Sequence, residues 1–196
     1  MNRTRFALVL TFALVTAFAA TASASSGVGT LEMSCGYAKS NAEVAPAPNE
    51  NMGGSLTFGA GYFRSMAPKM SWGMEASYDN LGSTDWNTGT AAATTSVSVM
   101  RFTPEFRMNL GAGVGPSIFA QVGAGLYSVK AKTESTDVSA AFDESSSKFG
   151  YNFGAGVGFP VGPKTKMNLM GNYHSISTEG ESTNYYGVRA CLGLSI

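Results

Sequence analysis

From Lys148 to Phe159 the chain reads KFGYNFGAGVGF, with Phe149, Tyr151, Phe153, Ala155, Val157 and Phe159 at the odd positions and only Lys, Asn and Gly at the even ones. Successive side chains of a strand point to opposite faces, so this alternation predicts a strand with one apolar side and one small or polar side. Seven further segments read the same way. They run from Thr30 to Ala38, Ser55 to Arg64, Met70 to Tyr78, Met100 to Met108, Ile118 to Tyr127, Met167 to His174 and Tyr185 to Ile196. The alternation is cleanest in the third, where Met70, Trp72, Met74, Ala76 and Tyr78 oppose Ser71, Gly73, Glu75 and Ser77. It is weakest in the seventh, where Met170 and Gly171 fall on unexpected faces. Pro104 removes a ladder donor from the fourth and predicts a bulge nearby.

No segment after residue 24 carries a sustained i, i+3, i+4, i+7 apolar stripe, so helices are not expected. The connections alternate in length. Tight ones fall at Ala67, Gly111 and Pro160, and long polar ones precede Ser55 and follow Asp79, Lys130 and Ile176. Each strand is about ten residues long, enough at ~3.3 Å per residue and a ~40° tilt to cross an apolar band of ~25 Å. The predicted fold is all-β: an eight-stranded antiparallel up-and-down transmembrane β-barrel over residues 25–196, tight turns on the periplasmic side and long loops outside. The competing architecture is a soluble periplasmic β-sandwich, in which the apolar faces would form a core.

Compartment and charge favour the barrel. Residues 1–24 carry Arg3 and Arg5, an apolar run from Phe6 to Ala20, and Ala22-Ser23-Ala24, the pattern of a signal peptide cut after Ala24. The run is shorter than the ~20 apolar residues of a membrane helix. Of the 13 basic residues, loss of Arg3 and Arg5 leaves 11 against 13 acidic ones, and no clustered basic face suggests nucleic acid. Ten acids lie in or beside the long loops: Glu43, Glu50, Asp79, Asp85, Glu134, Asp137, Asp143, Glu144, Glu179 and Glu181. The remaining three, Glu32, Glu75 and Glu105, sit on the polar strand faces. Cys35 falls on an apolar face and Cys191 on a polar one, so a bridge between them is awkward without a bulge.

The segments PSIFAQVGAGLY, FGYNFGAGVGFPVGPKTKMNLMGNYHSI and YYGVRACLGLSI resemble the small outer-membrane β-barrels typified by OmpX, the OmpA transmembrane domain and the opacity-type proteins. The resemblance spans the chain after residue 24 and specifies architecture more than activity. It implies an outer-membrane location. The partners it implies are outer-membrane lipid and lipopolysaccharide, the outer-membrane assembly machinery, and a host or surface ligand at the loops. The family closes on Phe or Trp, so Ile196 is a departure that bears on insertion efficiency.

The polar faces define a candidate lumen network of Glu32, Glu75, Arg101, Glu105, Arg107, Lys148, His174 and Arg189, with Gln121, Asn152, Asn168 and Asn172 beside it. An eight-stranded barrel can be filled by its own side chains, and charges placed there must pair. Two readings follow. One is a structural plug. The other is a narrow ion channel gated by exchanging pairs, such as Glu32 or Glu105 moving between Arg107 and Arg189. An enzyme of the lipid A hydrolase kind would need His174 and a serine two residues on, but Ser175 and Ser177 lie at i+1 and i+3, on the opposite face. His174 is expected to be a partly buried residue near the rim. No catalytic residue, cofactor or metal site is expected, and the acids between Lys130 and Ser147 read as a solvated, mobile loop with no calcium-loop spacing. The expected function is that of an integral outer-membrane protein with a structural or adhesive surface role, displaying acidic extracellular loops.

Overall fold

The computed structural model describes residues 29–41, 53–87, 92–111, 115–135, 142–177 and 182–196. The leader expected over residues 1–24 lies outside them. The strands are β1 (Gly29–Ser40), β2 (Ser55–Ala67), β3 (Met70–Asn87), β4 (Ala92–Asn109), β5 (Ser117–Ser135), β6 (Phe142–Pro160), β7 (Thr165–Ser177) and β8 (Ser182–Ser195). Each pairs antiparallel with its neighbours in sequence, and β1 pairs with β8 to close the barrel. Closure leaves no free edge around the wall, which is the condition for a sheet in hydrocarbon.

The alternation sorts side chains as its period requires. Leu56, Phe58, Ile118, Val122, Leu126, Phe149, Phe153 and Val188 are exposed on the outer surface, while Glu32, Glu75, Arg101, Gln121, Asn152 and Arg189 are buried inside. A soluble sandwich would invert this, burying the apolar set. Tyr62 is the one large apolar exception on the outer face among the described residues. It is only 8% exposed because its ring lies over Gly29 on the neighbouring strand, where an added Cβ would strike it.

Two expectations about the strands fail. Pro104 causes no bulge: Met74↔Pro104 keeps the β3–β4 register, and the β4–β5 pairs on either side of it, Phe102↔Leu126 and Glu105↔Gly123, share one register. Pro104 lies between edges that the neighbouring residues already fix, so the missing donor costs a ladder bond without shifting the pairing. Among the described residues the shifts fall instead between Ser65 and Ala67 and between Asn80 and Gly82. At the second, Leu81 is the extra residue, and Gly82 adopts φ +98° with the Gly53 carbonyl where a Cβ would stand. Only glycine fits there.

The second failure concerns the polar stretches after Asp79 and Lys130, expected to be loops. They are strand. The β3–β4 ladder continues to Asn87↔Ala92 and the β5–β6 ladder to Thr133↔Phe142. By contrast β2 stops pairing with β3 at Thr57↔Asp79, and β7 stops pairing with β6 at Gly150↔Ile176. Four strands therefore rise about eight residues beyond their neighbours, ~25 Å if untilted. In this region the outer face meets water instead of lipid and the buried inner face is taken largely by Thr84, Thr95 and Thr133, so no apolar alternation is required and the strand signal that marks the wall disappears. β-Branched residues such as Thr94, Thr95, Thr133 and Val97 carry the propensity instead.

Candidate functional site

The barrel interior holds the charged residues in three tiers. At the end with short turns, β4 aims Arg107 across the lumen at Glu32 on β1. Its Nη1 and Nη2 donate to the two carboxylate oxygens at 2.7 and 3.1 Å, and its Nε donates to Gln121 Oε1 at 2.8 Å. The guanidinium lies between the rings of Phe63 and Phe119, 4.1 and 4.8 Å from their centroids. A planar cation with all three nitrogens bonded and an aromatic ring on each side is a fixed wedge. Asn168 Nδ2 adds a donor to Glu32 at 3.4 Å.

In the middle tier Glu75 on β3 is shared by two arginines. It accepts from Arg101 Nη2, from Arg189 Nη1 at 2.5 Å and from Gln121 Nε2 at 3.4 Å. Glu105 accepts from Arg101 Nη1 at 3.3 Å, from Thr103 Oγ1 at 2.6 Å and from Asn152 Nδ2 at 2.9 Å. Its carboxylate occupies the space a side chain at Gly123 would fill. Gly123 is the register partner of Glu105 on the adjacent strand, so the missing side chain makes room for that carboxylate.

The third tier is built on Asp79. It accepts from the Thr57 hydroxyl, from Ser77 Oγ at 3.1 Å and from Tyr185 OH at 2.8 Å, and Arg101 Nε lies 3.5 Å away. The Tyr185 ring stacks on His174 at 4.3 Å between centroids and 9° between planes, and Tyr127 OH lies 3.3 Å from His174 Nδ1. Beyond this tier Leu81, Val99, Ile176 and Ala38 pack with the two tyrosines into an apolar cap. A smaller apolar cluster of Phe119, Met170 and Cys191 lies toward the short-turn end. The middle and third tiers are therefore enclosed, where low polarity strengthens each pair, while the Glu32–Arg107 pair lines a cavity at the short-turn rim.

Several expectations are revised by this geometry. Glu105 is held by Arg101, and Glu32 by Arg107, so the acid shared between arginines is Glu75. Asp79, expected beside a loop, is 2% exposed inside the lumen. Its position two residues after Ser77, on the Glu75 face, is the signal that could have placed it. His174 is 2% exposed beneath Ile176 instead of partly exposed at the rim, and among the described residues its one hydrogen bond is to Tyr127. Lys148 is half-buried, opposite Tyr127 in register. Asn172 is buried on the same face. Cys191 is buried inside and Cys35 is exposed outside, both as free thiols.

Of the acids expected in or beside the long loops, Asp85 stands on β3, Glu134 on β5, and Asp143 and Glu144 on β6, in register with Lys132 and Ala131. Glu43, Glu50, Asp137, Glu179 and Glu181 lie outside the described residues. Lys132 donates to Glu134, and that hydrogen bond together with the lysine's charge lowers the Glu134 carboxyl from its usual range.

The model of the outer membrane protein beta-barrel domain matches residues 10–195. No curated protein sequence matches the chain. Among solved structures, Neisserial surface protein A superposes with a TM-score of 0.54 at 9% identity, covering 85% of this chain and 96% of that one. A major outer membrane protein of Thermus thermophilus gives 0.55 at 8%, covering 88% and 100%. Ail, the attachment invasion locus protein of Yersinia pestis, is 18% identical over 85% of this chain and 99% of its own, with a TM-score of 0.48.

Proposed function

The chain belongs to the outer membrane protein beta-barrel domain family, and on that premise we propose that its role is structural and adhesive: it anchors in the outer membrane and presents the risen four-stranded sheet outside the cell. The observation that carries this reading is the open edge of β6. Among the described residues, from Phe142 to Ser147 that strand pairs with β5 alone, while β7 starts pairing only at Gly150. An unpaired edge offers main-chain donors and acceptors to an extended segment of another protein. The opposite edge, on β3, is blunted by the Leu81 bulge and by Gly53 seated against Gly82.

The filled lumen supports a structural rather than a conducting or catalytic interior. A side chain as large as Arg107 wedged between two phenyl rings blocks the path at one end, and the Leu81 cap blocks it at the other. Neither Ser175 nor Ser177 shares the face of His174, so neither is placed as the nucleophile that a histidine base would activate. Export by a leader over residues 1–24 and short turns on the periplasmic side complete the proposal.

Two measurements test it. A cysteine at Glu134, in a Cys35→Ser background, is expected to react with a membrane-impermeant maleimide on intact cells. Reaction only after the outer membrane is opened would reverse the topology. Replacing residues 131–144 with an Asn-Gly turn is expected to abolish adhesion of expressing cells to host surfaces while the heat-modifiable gel shift of the barrel persists. Unchanged adhesion would remove the sheet from the function.

A further inference from the structure

The enclosed tiers do not balance. They hold three acids, Glu75 and Asp79 from β3 and Glu105 from β4, against two arginines, Arg101 from β4 and Arg189 from β8, all of them buried. Glu32 and Arg107 answer each other in the tier at the short-turn end. Lys148 on β6 is only half-buried, four residues along the strand from Asn152. The other titratable groups that face the cluster are Tyr127 from β5, His174 from β7 and Tyr185 from β8. A surplus buried charge is costly, so one more positive charge is required inside.

Hydrogen bonding shows where that charge belongs. Glu105 Oε1 takes three donors, from Arg101, Thr103 and Asn152, whereas its Oε2 takes none. Asn152 Oδ1, on the amide whose Nδ2 donates to Oε1 at 2.9 Å, likewise has no donor. Both oxygens are closed to solvent, so no water-sized group reaches them. A proton needs no such space. Rotating the two planar groups about their existing contact brings Oε2 toward Oδ1, and one proton between them closes an acid–amide ring of two hydrogen bonds. His174 is not the carrier. Asn152 Nδ2 also donates to Tyr127 OH at 3.3 Å, which leaves the phenol hydrogen for His174 Nδ1, and a ring nitrogen that accepts belongs to a neutral imidazole.

We propose that the lumen holds one structural proton on Glu105, whose side chain is a neutral carboxylic acid paired with the Asn152 amide over Gly123. Glu75 and Asp79 then balance Arg101 and Arg189, and no net charge draws a counter-ion into the barrel. Glu105, Gly123 and Asn152 are successive register partners, so the pair ties β4 to β6 across the glycine between them. The inference rests on the filled-lumen reading given above and adds to it the species that neutralises the interior.

The test is infrared spectroscopy of the refolded full barrel at neutral pH, with isotope-labelled glutamate. The wild type is expected to show the carbonyl stretch of a neutral carboxylic acid, moved by the label and lost in Glu105→Gln. Asn152→Leu leaves the acid in place without its partner and is expected to shift the band, so either folded variant suffices. Urea unfolding supplies a second readout. Gln offers an amide donor where the acid has its hydroxyl, so Glu105→Gln is expected to keep the wild-type midpoint, while Glu105→Met, with neither donor nor acceptor, lowers it. A missing band, a band that persists in Glu105→Gln or stands unmoved in Asn152→Leu would overturn the proposal. So would a Glu105→Gln midpoint as low as that of Glu105→Met, which marks an ionised carboxylate held by Arg101. The filled lumen is tested apart: recurrent current steps in planar bilayers would refute that reading, whereas a missing band without current refutes the proton alone.

Discussion

The Glu32–Arg107 pair allows the enclosed-lumen reading to be measured. Both side chains are under one-tenth exposed, and two hydrogen bonds join them. Glu32→Met leaves a guanidinium between Phe63 and Phe119 with Gln121 as its remaining partner. Each charge-assisted bond lost is worth about 1.5–3 kcal/mol, so the cost is about 3–6 kcal/mol, in line with the ~3–5 kcal/mol typical of stranding one member of a buried pair. Arg107→Met strands Glu32 with only the 3.4 Å contact to Asn168 and is expected to cost about the same. The double variant strands no charge and fills the space between the rings with thioether. It is expected to cost no more than either single change, giving a coupling of at least ~3 kcal/mol. Reversible urea unfolding from lipid vesicles, read through the outer-face Trp72, supplies all four free energies. Additivity within ~0.5 kcal/mol would refute the reasoning, because a pair that uncouples so cheaply is solvated and the lumen is open to water.

Four further outcomes are expected. Leu126→Arg, on the lipid face at a site 63% exposed, should destabilise by about 2–4 kcal/mol, whereas Thr94→Arg on the risen sheet should stay within ~0.5 kcal/mol; equal effects would mean the wall does not face lipid. Gly123→Ala drives a methyl into the Glu105 carboxylate and should cost about 1–3 kcal/mol by the same urea assay, with no cost if that carboxylate lies elsewhere. By NMR titration Glu134 should ionise below the usual carboxylate range and return toward ~4.3 in Lys132→Gln. Since its folded pKa is depressed, that pair's small contribution is present at neutral pH and lost as pH falls through the titration; an unmoved midpoint means the pair does not persist. In planar bilayers the barrel should pass no stepwise current, and recurrent steps abolished by Arg101→Ala would favour a conducting lumen.

How far the sequence could be read depended on what each region has to satisfy. In the wall, lipid outside and packed polar groups inside force every residue to one side, so the faces of Phe149, Tyr151 and Phe153 and of Glu75, Arg101 and Arg189 were legible from period two alone. Above the wall that pressure is gone. Thr94 to Val99 and Lys130 to Ser135 are strands sustained by β-branched propensity and pairing, and their polarity disguised them as loops. Asp79 stands at the junction of the two regimes, polar enough to be read with the loop yet still in phase with Glu75 and Ser77. The Leu81 bulge lies just beyond it and changes the phase for the rest of β3, so that Thr84 rather than an odd-numbered neighbour is buried.

Pairing inside the lumen was not legible, for a different reason. Periodicity assigns a side chain to a face but says nothing about which of seven other strands it will reach. That depends on stagger and on which positions carry no side chain. Glu105 reaches toward β5 because Gly123 is empty there, and that leaves Glu75 as the acid within range of both Arg101 and Arg189. The glycines on the inner face therefore do more than spare space: they select which acid meets which arginine. Filling one of them should re-pair the network before it unfolds the barrel, with the effect of Gly123→Ala falling mainly on the coupling between Glu105 and Arg101 and leaving the Glu32–Arg107 coupling, one tier away, unchanged.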